Sequence, residues 1–200
     1  MPQLTVDKLR LAEDNDRVDV SKLVSVAPID REAGYDEVKA LVSTIEDADY
    51  RAVCEEMLRR HEAAFRTIPA AKSVHHGFVG GLLEHTLSVV KMCDYFSKQY
   101  PALNRDLLLT AAMFHDIGKT KELSTFPEND YTDEGQLLGH IVIGVEMIGD
   151  AVRNIPDFPE KLANELKHCI VAHHGELEYG SPKKPALAEA MALNLSLIHI

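Results

Sequence analysis

Apolar residues recur at steps of three and four along most of this chain. Over residues 35–45 they stand at Val38, Leu41, Val42 and Ile45, with Asp30 upstream as a candidate cap for a helix or turn. Such spacing predicts a helix rather than a strand, because 3.6 residues per turn brings these positions onto one face. Asp47 or Asp49 opens a second helix through Tyr50, Val53, Cys54, Met57, Leu58 and His61. It ends at Ile68-Pro69, since the residue before proline is pushed out of the helical region. A third helix starts at Gly80 or Gly81, carries Leu82, His85, Val89, Met92, Cys93 and Phe96 on one face, and stops at Pro101. Asn104 caps a fourth, predicted over residues 105–116, which Gly118 is expected to close in the left-handed conformation.

Residues 120–131 read as a polar loop with Pro127 and Asn129. Thr132 or Asp133 then opens a helix whose inner face is predicted to hold Leu137, His140, Ile141, Gly144, Val145 and Ile148. Residues 160–173 form another, with Leu162, Leu166, Cys169, Ile170 and His173 in line and Gly175 at its end. A last helix begins near Ala186. Only the first 30 residues break the pattern: residues 4–6 alternate like a short strand, and the stretch reads as a linker or the remnant of a preceding domain. The expectation is an all-α helical bundle over residues 31–200 behind a short irregular or β-like N-terminal segment.

Composition narrows the function. With 200 residues and 46% hydrophobic content the chain can bury one sizeable core. A formal charge of −11 argues against gripping nucleic acid with the whole surface, although a local basic pocket is compatible with it. The apolar runs look too short and too often interrupted by charge to cross a membrane, and the N-terminus lacks a secretory pattern. Cys54, Cys93 and Cys169 are odd in number, widely spaced and set in apolar helical patterns, which predicts buried free thiols and a cytoplasmic protein.

Ten histidines point to metal chemistry. A lone histidine on an apolar face is usually an ordinary core residue. Here His85, His115, His140 and His173 each take the inner face of a different predicted helix, and Asp116 puts a carboxylate beside His115. Burying several imidazoles and a carboxylate together is costly unless a cation pairs them, and helical bundles build metal sites from facing helices. Imidazole with carboxylate and no thiolate suits manganese, iron, zinc, cobalt or nickel. The candidate ligands outnumber the needs of one tetrahedral ion. Two divalent ions would use them better, and paired ions suit phosphoester hydrolysis. Lys119, just past the ligands, is then placed to hold a phosphate oxygen. His75 and His76 stand in a loop with Lys72 that either lines the pocket mouth or is simply exposed, whereas His168 is as easily a surface residue and His61 fits an ordinary helix position.

The ordered blocks His85, His115-Asp116, His140 and His173-His174 resemble the HD-domain metal-dependent phosphohydrolases. More narrowly, Pro69-Ala70-Ala71-Lys72, His76-Gly77, Gly80-Gly81-Leu82-Leu83-Glu84-His85-Thr86, His115-Asp116-Ile117-Gly118-Lys119, Leu138-Gly139-His140 and His173-His174-Gly175-Glu176 look like the YhaM-type 3′-to-5′ exoribonucleases. The resemblance implies an all-helical HD fold with His85, His115, Asp116, His140, His173 and His174 as metal ligands. It further implies Lys119 on the phosphate, manganese as the common metal, and nucleotide release from the 3′ end of single-stranded RNA or DNA. A small nucleotide is the alternative substrate, and a metal-binding module inactive in truncated form the alternative role. Family members carry an OB-fold domain ahead of the HD domain, of which residues 4–12 would be the last trace. They also place a final metal-binding aspartate on the last helix, where residues 191–200 hold no acid. Residues 195–200, Leu-Ser-Leu-Ile-His-Ile, resemble a translated sequencing adaptor, so both ends are expected to be truncations and His199 is not expected to be a ligand.

Overall fold

The computed structural model describes residues 8, 10, 29–70, 78–125, 128 and 130–198. Lys72, His75, His76, His199 and the strand expected at residues 4–6 lie outside the described residues. The described part is helical: α1 (Arg31–Ser43), α2 (Ala48–Thr67), α3 (Gly81–Gln99), α4 (Arg105–Phe114), α5 (Lys119–Glu122), α6 (Asp133–Arg153), α7 (Glu160–Ala172) and α8 (Ala188–Ile198). No named strand occurs among these residues; an isolated antiparallel bridge joins Leu123 to Tyr131. The expected all-α class is the one observed.

Local chemistry starts these helices where side chains can satisfy the first free N–H groups. Asp30, Asp47 and Asn104 each accept two backbone N–H bonds at the starts of α1, α2 and α4, and Thr132 accepts from Gly135 at α6. Asp30 caps earlier than the apolar pattern suggested, so α1 begins at Arg31.

Helix α4 is the axis of the fold. Every residue from Leu107 to Phe114 is buried, as expected of a helix apolar on all sides. Helix α3 lies along it, α2, α7 and α8 pack against it, and α6 packs on α7. The chain that leaves the end of α4 is therefore already inside the protein. His115 and Asp116 are its next two residues, and both are buried.

Five sequence expectations need correction. Helix α4 ends at Phe114, and residues 115–118 are turns. Gly118 is right-handed, at φ −59° and ψ −23°, so it is not a left-handed terminator. It is there because a Cβ would lie 1.9 Å from the His140 carbonyl oxygen and 2.8 Å from the Gly144 nitrogen. The expected loop at 120–131 opens instead with the single turn α5, seated on α6. Helix α6 is kinked at Gly139, whose φ of 73° and ψ of 158° belong to glycine almost alone. Leu137 lies before that kink and is 83% exposed, not on the inner face. Finally, α6 is long and apolar enough, by length and composition, to cross a membrane. In this fold it is a core helix, with Ile141, Ile143, Met147 and Ile148 buried.

Candidate metal centre

Two helix ends, one helix kink and one helix flank supply the groups that converge at Asp116. His85 comes from the first turns of α3, and His115 and Asp116 from the turn after α4. His140 follows the α6 kink, and His173 and His174 follow α7. On one side of the carboxylate, Asp116 Oδ2 stands 3.4 Å from His115 Nε2 and 3.6 Å from His85 Nε2, and those two nitrogens are 3.2 Å apart. On the other side, Asp116 Oδ1 stands 3.5 Å from His140 Nε2 and 3.7 Å from His173 Nε2. His174 stacks edge-on against His173, with ring centroids 4.3 Å apart. The donors thus form two groups capable of holding an ion, His85–His115–Asp116 and His140–His173–His174.

The rings are oriented by their far nitrogens. His115 Nδ1 pairs with the Ala112 carbonyl at 2.8 Å and His173 Nδ1 with the Ile170 carbonyl at 2.7 Å, each three residues back along the chain. His174 Nδ1 pairs with the Tyr179 carbonyl at 2.7 Å. A carbonyl can only accept, so each Nδ1 carries a proton and each Nε2 is the ring atom turned to the centre, where the neutral ring would offer it as a ligand. His140 differs: its Nδ1 and its backbone N–H both reach Glu122 Oε1, at 3.1 and 2.9 Å.

These residues fit a divalent cation. Among the described residues, Asp116 Oδ1, His140 Nε2 and His173 Nε2 are buried with no hydrogen-bond partner, which is costly unless something else meets them. Ligand atoms about 2.1 Å from one ion sit about 3.0–3.4 Å from each other in octahedral or tetrahedral shells. The spacings on the Oδ2 side already approach that range, and those on the Oδ1 side are slightly wider.

Charge at the centre follows the same design. Burial pushes the Asp116 carboxyl up, but the Lys119 ammonium and the His115 ring more than offset it and hold it well below the usual range. Lys119 Nζ donates to Asp116 Oδ2 at 2.7 Å. Burial first, and the neighbouring His115 ring second, hold His173 well below its ordinary value. His174 is lowered chiefly by burial. Both rings are therefore neutral near pH 7, as ligands must be.

The structure thus brings His85, His115, Asp116, Lys119, His140, His173 and His174 together. His61 is half-buried in the flank of α2, and His168 accepts from the Ala186 N–H at 2.9 Å, so neither joins the cluster. Two participants were not legible beforehand. Glu122 belongs to the stretch expected to be loop; its only sequence signal is an acid one helical turn beyond Lys119. Asn194 on α8 donates to the His173 carbonyl at 2.8 Å. On α8 the one acid, Glu189, is turned away to accept from the Asn104 N–H at 2.6 Å, so no carboxylate of that helix meets the centre.

The HD domain family matches residues 82–197, which span α3 through most of α8 and include every residue of the cluster. No solved structure matches the chain. With more than half its length matched and a buried His/Asp cluster capable of holding divalent metal, the chain belongs to the HD-domain family of metal-dependent phosphohydrolases.

Proposed function

We propose that this centre holds two divalent ions, manganese for preference, and hydrolyses phosphodiester bonds from the 3′ end of single-stranded RNA or DNA. The observation that carries the reading is the division of labour on Asp116, whose Oδ2 faces His85 and His115 while Oδ1 faces His140 and His173. His85, His115 and Asp116 would hold one ion; Asp116, His140, His173 and His174 would hold the other. Such a pair supplies a water activated at neutral pH and positive charge for the phosphate.

The chain's own residues supply the rest. Asp116 stays ionised because Lys119 and the rings around it favour the charged form. His173 and His174 stay neutral because burial disfavours their charged form. Lys119, 18% exposed, lies on the rim and can turn its ammonium from Asp116 to an incoming phosphate oxygen. By the sequence resemblance, Lys72 and His76 are further candidates for substrate binding, and they would give a protein of net charge −11 a local means of meeting a polyanion. The buried free thiols Cys54, Cys93 and Cys169 support a cytoplasmic setting.

A second reading has one observation in its favour. Beside His174 lies a cavity of about 370 Å³ lined by Tyr179, Lys184, Met191 and Asn194. A ring and an ammonium next to the centre would suit a free nucleotide, with its base on Tyr179 and a phosphate near Lys184. The deciding experiment combines metal analysis with manganese-dependent turnover of 3′-labelled and 5′-labelled single-stranded RNA, for wild type and Asp116→Ala. A ladder from the 3′ end, lost in the variant, is the expected result. Turnover of free nucleotides without a ladder selects the second reading, and unchanged activity in Asp116→Ala rejects the centre.

A further inference from the structure

Three of the rings are aimed by backbone carbonyls, and His140 is not. His115 and His173 each use the carbonyl three residues back, Ala112 and Ile170. For His140 that carbonyl would be Leu137, and Gly139 stands between them with its glycine-only backbone angles. The kink that brings His140 to the centre therefore removes the usual means of orienting it. It also turns the His140 N–H away from its own helix. One atom meets both needs: Glu122 Oε1 takes the backbone N–H at 2.9 Å and the ring Nδ1–H at 3.1 Å.

Glu122 is itself held firmly. It is 8% exposed, its N–H donates to the Gly118 carbonyl at 2.9 Å, and its carbonyl accepts from the Thr132 N–H at 2.9 Å. Gly135 at the start of α6 sits so close that a Cβ there would be 2.3 Å from the Glu122 carbonyl oxygen. Asp116 lies six residues upstream of Glu122 in the same compact stretch. One short segment thus supplies the central carboxylate and the clamp on a ring that faces it.

We propose that Glu122 is the positioning residue for His140: it fixes the ring with Nδ1 protonated and Nε2 bare toward Asp116 Oδ1, and so sets the metal affinity of the His140–His173–His174 half of the centre. The proposal rests on the two-ion reading above. Carboxylates behind a metal-binding imidazole typically matter about 10–100-fold in affinity.

The test titrates manganese alone into the metal-free chain by calorimetry, for wild type, Glu122→Ala, His140→Ala and the double variant. Glu122→Ala is expected to weaken one of two binding events about 10–100-fold, and to change nothing further once His140 is alanine. Wild-type affinity in Glu122→Ala overturns the proposal. So does an undiminished loss in the double variant, which would mean that Glu122 acts elsewhere. A wild type that binds no manganese removes the metal-centre reading itself, a separate outcome. Long-range proton–nitrogen NMR on the metal-free wild type needs no variant to fold: His140 is expected as the Nδ1–H tautomer, and the Nε2–H tautomer would overturn the assignment.

Discussion

Gly118→Ala isolates the contact on which the two halves of the centre depend. The substitution adds one methyl group at right-handed backbone angles that alanine adopts freely, so no torsional strain enters. What enters is a collision. The new Cβ would sit 1.9 Å from the His140 carbonyl oxygen, 2.7 Å from its carbon and 2.8 Å from the Gly144 nitrogen. All three are backbone atoms, and none can rotate aside. Ordinary contact begins near 3.4 Å, so the 115–118 turn and α6 must part by about 1.5 Å. Overpacking of this kind costs about 1–3 kcal/mol, and backbone on both sides puts this case near 3. With a urea dependence of about 2 kcal/mol per molar, the unfolding midpoint should fall by about 1.5 M.

The metal readout should be uneven. His85, His115 and Asp116 come from the packed α3–α4 pair, whereas His140 moves with α6. Manganese affinity on the His140 side should fall at least about tenfold, because ligand geometry there is set by the separation of the two segments. Gly149→Ala is the matched control on the same helix: its Cβ would meet only the tips of Arg153 and Lys167 at 3.5 Å, an ordinary contact. Removing a helix-interior glycine there should be neutral or stabilise by up to about 1 kcal/mol. Urea melts in metal-free buffer, followed by calorimetry, read both quantities. A Gly118→Ala protein within about 0.5 kcal/mol of wild type, with both affinities intact, would refute the reasoning, since so small a change is what an unremarkable surface substitution gives.

Two further outcomes follow from charge and burial. His173 and His174 are held below their ordinary value of 6.5, so below that pH the unfolded chain binds more protons than the folded one. The metal-free protein should therefore lose stability as pH falls from 7 to 5, at up to about 1.4 kcal/mol per pH unit for each ring. The Asp116 contribution persists through that window and is lost only below its ordinary 3.8. Urea midpoints across the range check this, and His173→Gln should flatten the slope; a wild-type midpoint constant from pH 7 to 5 would contradict it. Separately, burial pushes the thiols of Cys54, Cys93 and Cys169 up to about 12, so a thiol-specific disulfide reagent at pH 8 should label none of the three in native protein and all three in denaturant.

What could be read from the sequence was what local spacing controls. The helix starts at Asp47, Asn104 and Thr132 are set by side chains reaching two or three residues along the chain. The all-apolar run of α4 announces a central helix, and that alone delivers His115 and Asp116 to the interior. His85 falls at an inward position of an uninterrupted helix, and His173 directly follows the end of another. The reason for Gly118 was not legible, because its obstacle lies 22 residues away on another helix. The usual explanation, a left-handed helix end, is wrong here because the neighbour's backbone and not the local torsion excludes a side chain. Asn194 was hidden for the same reason: its partner, the His173 carbonyl, is 21 residues back along the chain.

His140 shows how a correct residue can be reached by an incomplete argument. Counting turns from Thr132 places Leu137, His140, Ile141 and Gly144 on one face, and that count assumes an unbroken helix. The helix breaks at Gly139. Residues after the break keep their register with one another, so Ile141 and Gly144 are buried as expected. Residues before it do not, and Leu137 and Leu138 are 83% and 45% exposed although they are among the most apolar of the segment. An α6 straightened by Gly139→Ala would restore the Leu137 carbonyl as a partner for His140 only by undoing the turn that Glu122 stabilises. Apolar residues stranded in solvent just ahead of a glycine and a histidine are therefore the trace this kink leaves in the sequence. It becomes readable only once the carboxylate that replaces the lost carbonyl is seen.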